Sequence, residues 1–324
     1  MPIRAASIKV TAKRGTWIAL CAAFALQSAG AQSANFKPSA AVKSAAVGSA
    51  VDAASSSGDV ARTLQTAAEA LGLARWSGVG GQRLPEVDVI NTMEIWGSGT
   101  TYGPGPAGKP GEPGVPSKTE YHASLGYNPP GMRVELTRTA VASNAQSGAA
   151  PQHTIEAVRE KYAWNESEIG AGLIPGKGTA TPAMGAASAR LLALWTLPYG
   201  VIKSAIAAGG KTKVSTANGA TVITFPLSGM LSDVMVKATL DSQNEVASVE
   251  TQTDNPAHAD LNTETEYSDY ADHGEILTDV KSPGHIVRKQ GGHLVLDLKI
   301  KTLDANNPYL VFPVPPNVKT ASAQ

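Results

Sequence analysis

Six histidines are the side chains here best suited to proton transfer or metal binding: His122, His153, His258, His273, His285 and His293. A hydrolytic zinc centre needs a dense cluster such as His-x-His-x-Asp-His, in which one short segment presents several ligands at once. In this chain the histidines are scattered, and no two share a short ligand spacing on one predicted element. His258 with Asp260, and Asp272 with His273, come nearest to acid-base pairs, but both fall in loop-like sequence and read as surface. Glu264 and Glu266 lie two apart on a strand-like run and so face the same side. A catalytic carboxylate pair needs opposing elements, so these two read as a solvated face. There is no Gly-x-Ser-x-Gly elbow, and the one cysteine is Cys21. Gly78-Val79-Gly80-Gly81 lacks the lysine and hydroxyl residue of a phosphate loop and reads as a turn. These residues point away from an enzyme and call for neither metal nor cofactor.

The segments around them say where such a chain goes. Arg4, Lys9, Lys13 and Arg14 precede the apolar run Trp17 to Leu26, and Ala29-Gly30-Ala31 offers a small-residue cleavage site before Gln32. Residues 1–31 therefore read as a secretory signal peptide, cleaved near Ala31, which implies export to the periplasm. The apolar run of about ten residues is short of the roughly 20 that span a bilayer, so the mature chain is expected to carry no transmembrane anchor. Loss of four leader cations leaves 23 basic against 27 acidic residues, a poor balance for binding nucleic acid. Cys21 leaves with the leader, so stability must come from a packed core. Residues 32–57, rich in Ala and Ser, read as a linker; residues 58–318 as a single domain; residues 319–324 as a disordered tail.

The domain opens on a helix, Asp59 to Leu73, whose Val60, Leu64, Ala67, Ala68 and Leu71 share one face before Gly72 ends it. Strands follow at Val87 to Trp96, Tyr121 to Tyr127, Met132 to Val141 and Lys161 to Asn165. Gly103 to Pro116, with glycine at every third position from Gly105, reads as a long exposed loop suited to partner or ligand contacts. Met184 to Ala208 is the most apolar long segment after the leader, and Pro198 divides it into two helices ended by Gly209-Gly210.

From Lys211 onward the chain reads as sheet. Asn218-Gly219 and Gly291-Gly292 are hairpin turns, and Asp241 to Asn244 is a polar turn. Leu240 to Leu303 holds the cleanest alternation, with Leu294, Leu296, Leu298 and Ile300 on one side and Val295, Asp297, Lys299 and Lys301 on the other. A sheet with one face to hide and two apolar helices to cover it makes either a filled core or an apolar cavity.

Asp254-Asn255-Pro256, Glu266-Tyr267-Ser268-Asp269-Tyr270, Gly274, Pro283 and the run Val287 to Leu298 resemble the N-terminal domain found ahead of a metallo-β-lactamase-type hydrolase in many exported proteobacterial proteins. Ala70-Leu71-Gly72, Gly97-Ser98-Gly99-Thr100, the Met132 to Thr137 strand, Tyr162 to Asn165 and Leu194 to Gly200 agree. The resemblance covers about residues 59–317. The stretch between Gly274 and Pro283 is longer and more polar than that pattern, and no hydrolase domain follows within the 324 residues.

That domain in turn resembles the periplasmic lipoprotein-carrier fold. The resemblance implies an α+β architecture: a strongly curved antiparallel sheet of about 10–11 strands, a half-open barrel, with helices covering its concave face. It implies a non-enzymatic carrier of an apolar ligand such as a lipid or acyl chain, with Trp195, Leu197, Leu294, Leu296 and Leu298 lining the pocket. The alternative is an accessory module that docks on a separately encoded exported hydrolase; stand-alone hydrolysis is the third reading. Tyr267 and Tyr270 are expected to pack at the sheet edge and bond locally.

Overall fold

In a computed structural model, residues 57–79, 82–87, 90–103, 114–141, 150–255, 261–272 and 280–321 are described. The leader, nearly all of the linker, the Gly-Pro loop over 104–113, His258, Asp260 and His273 lie outside them.

Helix α1 (Ser57–Ala70) buries Leu64, Ala67 and Ala68 and stops at Gly72, whose φ of 74° a residue with a Cβ seldom adopts. The Gly72 N–H donates to the Glu69 carbonyl at 3.1 Å and the Leu73 N–H to the Ala68 carbonyl at 2.8 Å, the paired bonds of a Schellman end. A two-stranded hairpin, β1 (Ala74–Val79) and β2 (Gln82–Val87), follows. The first meander is β3 (Thr92–Gly103), β4 (Val115–Tyr127), β5 (Pro130–Ala140), β6 (Gln152–Arg159), β7 (Tyr162–Glu166) and β8 (Ala180–Pro182).

Two helices cross over, α2 (Ala187–Trp195) and α3 (Pro198–Ala208), with Pro198 at the start of α3 and residues 184–195 and 198–211 bent by 95°. Gly200 makes the bend possible, since a Cβ there would come within 2.5 Å of the Leu194 carbonyl oxygen.

The second meander is β9 (Lys213–Ala217), β10 (Ala220–Pro226), β11 (Met235–Leu240), β12 (Val246–Gln252) and β13 (Thr263–Ser268). After a two-stranded pair, β14 (Ala271–Asp272) and β15 (Lys281–Ser282), it ends with β16 (His285–Gln290) and β17 (His293–Ala305). Both glycine turns form as the sequence predicts, with positive φ at Asn218-Gly219 and at Gly291-Gly292.

β17 then pairs antiparallel with β3, joining the meanders into one 13-stranded sheet, β8-β7-β6-β5-β4-β3-β17-β16-β13-β12-β11-β10-β9. The class is therefore α+β on an antiparallel sheet. The sheet is open and not strongly curled, where the resemblance implies a strongly curved half-barrel of about 10–11 strands. A helix layer across one face buries that face without the sheet having to close on itself. β1, β2, β6, β8 and the short pair β14–β15 were not legible as strands, and α4 (Pro316–Ala321) is helical where a disordered tail is expected from 319.

α1, α2 and α3 share one core with the inward residues of the sheet, among them Met93, Ile95, Leu125, Ile223, Val249 and Leu298. α4 packs on Trp164, Ala157 and Ala180 in a separate, smaller cluster. Among the described residues no single helix is long and apolar enough to cross a membrane.

Candidate functional site

Ala186 just before α2, Ala189 and Ala193 on it and Leu197 beyond its end recur at helical spacing, and they look onto the sheet where β3 meets β17. Three of these four are alanine, too short to fill the distance to the strands. The space left is a cleft of about 330 Å³, walled on the sheet side by Tyr121, Met132, Val134, Leu136, Ile286, Leu296 and Leu298. That is the lower end of the roughly 300–1,000 Å³ usual for small-ligand sites. The helix segment leaves room beneath it, so the apolar face is not wholly filled core.

Of the five pocket residues expected from sequence, Leu197, Leu296 and Leu298 line this cleft. Trp195 does not: its ring lies 5.7 Å from that of Tyr127, in a separate hollow of about 500 Å³ with Lys203 and Lys211. Its position between Leu194 and Thr196 carries it around the helix from the alanine stripe. Leu294 is also displaced, and the reason is a bulge. Arg288 pairs with Leu296 but Lys289 pairs with Leu294, so Val295 is an extra residue on β17. Side chains directly opposite in a ladder share a face. Leu294 therefore lies with the outward Lys289, and strict alternation fails at that step.

Three charged residues reach the cleft that sequence reasoning passed over: Glu156, Arg190 and Arg288. Arg190, on α2, donates to the main-chain carbonyls of Ala157 at 2.9 Å and Trp164 at 2.7 Å and lies 3.5 Å from the Glu156 carboxylate. Arg288 stands two residues from Ile286 and so shares its inward face; a cation on the apolar side of a strand was the available signal. Its Nε donates to Thr265 Oγ1 at 3.3 Å.

Tyr267 and Tyr270 bond over longer range than expected. Tyr267 is on β13, inside the sheet, and donates to the Thr196 carbonyl at 2.7 Å; Tyr270 donates to the Val246 carbonyl at 2.7 Å. Tyr199 donates to the Lys281 carbonyl. Burial raises the hydroxyl pKa of all three, that of Tyr267 to about 12, so they stay neutral donors at ordinary pH.

The outward face carries the histidine chemistry. His122 stacks on Trp96 with ring centroids 4.8 Å apart; its Nδ1 is 3.0 Å from Glu135 and its Nε2 is 3.4 Å from Glu94. His153 approaches the same Glu135 at 3.9 Å, and His285 bonds Asp297 at 2.8 Å. Strand pairing gathers these distant residues, which no sequence spacing reveals. Among the described residues no group of three or more His, Cys, Asp or Glu is arranged to hold a metal. Glu264 and Glu266 lie with Lys289, at 3.9 and 2.7 Å, as a solvated ion-paired face. A hollow of about 580 Å³ on that side is walled by such pairs, including Lys237 with Glu250 at 2.9 Å.

A scan against protein-family models and a search of curated proteins find no match for this chain.

Proposed function

We propose that this chain is an exported, non-enzymatic binding module that carries an apolar ligand, a lipid or acyl chain, in the cleft beneath α2. The single observation behind this reading is the apolar cleft left by the alanine stripe of α2 over Leu296 and Leu298. Burying one methylene is worth about 0.8 kcal/mol, so ten would contribute about 8 kcal/mol before the cost of immobilising the chain. In this reading the sheet is a shallow half-barrel with the helices on its concave side, in keeping with the resemblance to the lipoprotein-carrier fold and to the domain preceding exported hydrolases. Cleavage near Ala31 would deliver it to the periplasm.

A docking role on a separately encoded hydrolase is the second reading. It is favoured by Tyr309 and Val311, which stand 88% and 66% exposed on the connection before α4. Native mass spectrometry of gently purified protein, with solvent extraction of what accompanies it, separates the two. A lipid bound at defined stoichiometry supports the carrier; a clean apo mass with no uptake of an added fatty acid or fluorescent lipid overturns it.

A further inference from the structure

We propose that Arg288 is the head-group site of the cleft, and that the ligand is a single-chain amphiphile with an anionic end, a carboxylate or a phosphate. This rests on the carrier reading of the same cleft and narrows it to one class of lipid.

Across the inward face, Arg288 stands between Thr265 on β13 and Leu296 on β17, with Val249 one strand further. Every acid that could neutralise it is committed or faces away. Glu156 lies 3.5 Å from Arg190. Glu264 and Glu266 flank Thr265 in sequence, and their side chains lie on the outward face against Lys289. Asp297, next to Leu296, points outward to His285. Among the described residues, Arg288 has no carboxylate within 4.0 Å. The nearby phenols of Tyr121 and Tyr267 cannot serve instead: burial raises both, and the Arg288 charge offsets this only in part.

A half-buried cation that meets two neutral hydroxyls, those of Thr265 and Tyr267, still has N–H donors unused by the protein. Withdrawing such a charge from water is unfavourable unless an anion arrives with the ligand. A guanidinium fork matches carboxylate and phosphate oxygens in paired hydrogen bonds. The apolar wall beyond it, Leu298 with Val134 and Met132, then takes the chain. A cleft of about 330 Å³ suits one chain and not several.

The test is calorimetric titration of the full mature chain, below the critical micelle concentrations, with dodecanoic acid, dodecyl phosphate, dodecanol and inorganic phosphate. The acid and the dodecyl phosphate should bind at least about tenfold more tightly than dodecanol, the worth of hydrogen bonds to a charged group. Inorganic phosphate alone should not bind measurably. Arg288→Gln should abolish the tenfold preference of acid over alcohol, and Arg288→Lys should keep part of it. Equal affinity for acid and alcohol in the wild type overturns the head-group site while the carrier reading stands, a comparison that needs no variant to fold. Binding of inorganic phosphate as tight as that of dodecyl phosphate marks a free-anion site and also overturns it. No binding of any chain defeats the carrier reading with it.

Discussion

The Tyr267 hydroxyl donates to the Thr196 carbonyl oxygen at 2.7 Å, joining residues 71 apart in sequence. Thr196 caps the C-terminal end of α2, where carbonyls have no partner within the helix. The bond fixes the end of α2, and with it Leu197, over β13 and the cleft. Tyr267→Phe should lower stability by about 1–3 kcal/mol, because a buried carbonyl loses its donor. The shift of the urea midpoint measures this, and an unchanged midpoint would show that the tie carries no weight.

Glu166 is buried and accepts three bonds: from Trp164 Nε1 at 2.8 Å, from Arg133 at 3.2 Å and from the Gly170 N–H at 3.0 Å. Glu166→Ala leaves a largely buried guanidinium and an indole N–H without their acceptor. A loss of about 3–5 kcal/mol is expected, the cost of removing one partner of a buried pair. Chemical denaturation of the two proteins side by side tests it.

At the seam of the sheet, a Cβ on Gly97 would sit 2.7 Å from the Lys299 carbonyl oxygen, and one on Gly99 would fall on that of Asp297. Neither obstacle is a side chain that can swing away. Gly99→Ala should therefore destabilise by about 1–3 kcal/mol through displaced backbone between β3 and β17. Thermal melting should report it, with Gly185→Ala, where a Cβ meets open space, as the mild control.

Lys203 lies with its ammonium 5.1 Å from the Tyr127 ring centroid, and burial pulls its pKa down to about 8. The unfolded chain holds that proton up to about pH 10.5. Between these values the unfolded state binds more protons, so stability should climb as the pH rises from about 8. It should turn over near pH 10, where the tyrosines of the unfolded chain begin to ionise while buried Tyr267 holds its proton to about 12. In Lys203→Met the climb should vanish and the melting temperature at neutral pH should rise; melting curves across this range decide it.

Local chemistry made much of the fold legible. Asn218-Gly219, Gly291-Gly292, Gly72 and Pro198 each impose a backbone conformation that neighbours cannot override, and the elements they bound stand as expected. β6 was not legible because Gln152 to Arg159 mixes polar and apolar residues on both faces: Ala157 packs outward under α4 while Val158 packs inward. The face of the cleft was legible from Leu296 and Leu298. Leu294 was misplaced because a bulge changes side-chain parity without a glycine or proline to mark it. Arg190, Glu156 and the His122 cluster depend on pairings between distant strands and helices, which one-dimensional spacing does not encode.

The most direct test of the carrier account is to fill the cleft. Ala193 lines it from α2, and tryptophan there would occupy much of the about 330 Å³ without touching the sheet's hydrogen bonds. Titration of an unbranched fatty acid into wild type and Ala193→Trp, both checked for cooperative melting, should give one site in the first and none in the second. Equal binding by the two folded proteins, or none by the wild type, would contradict it.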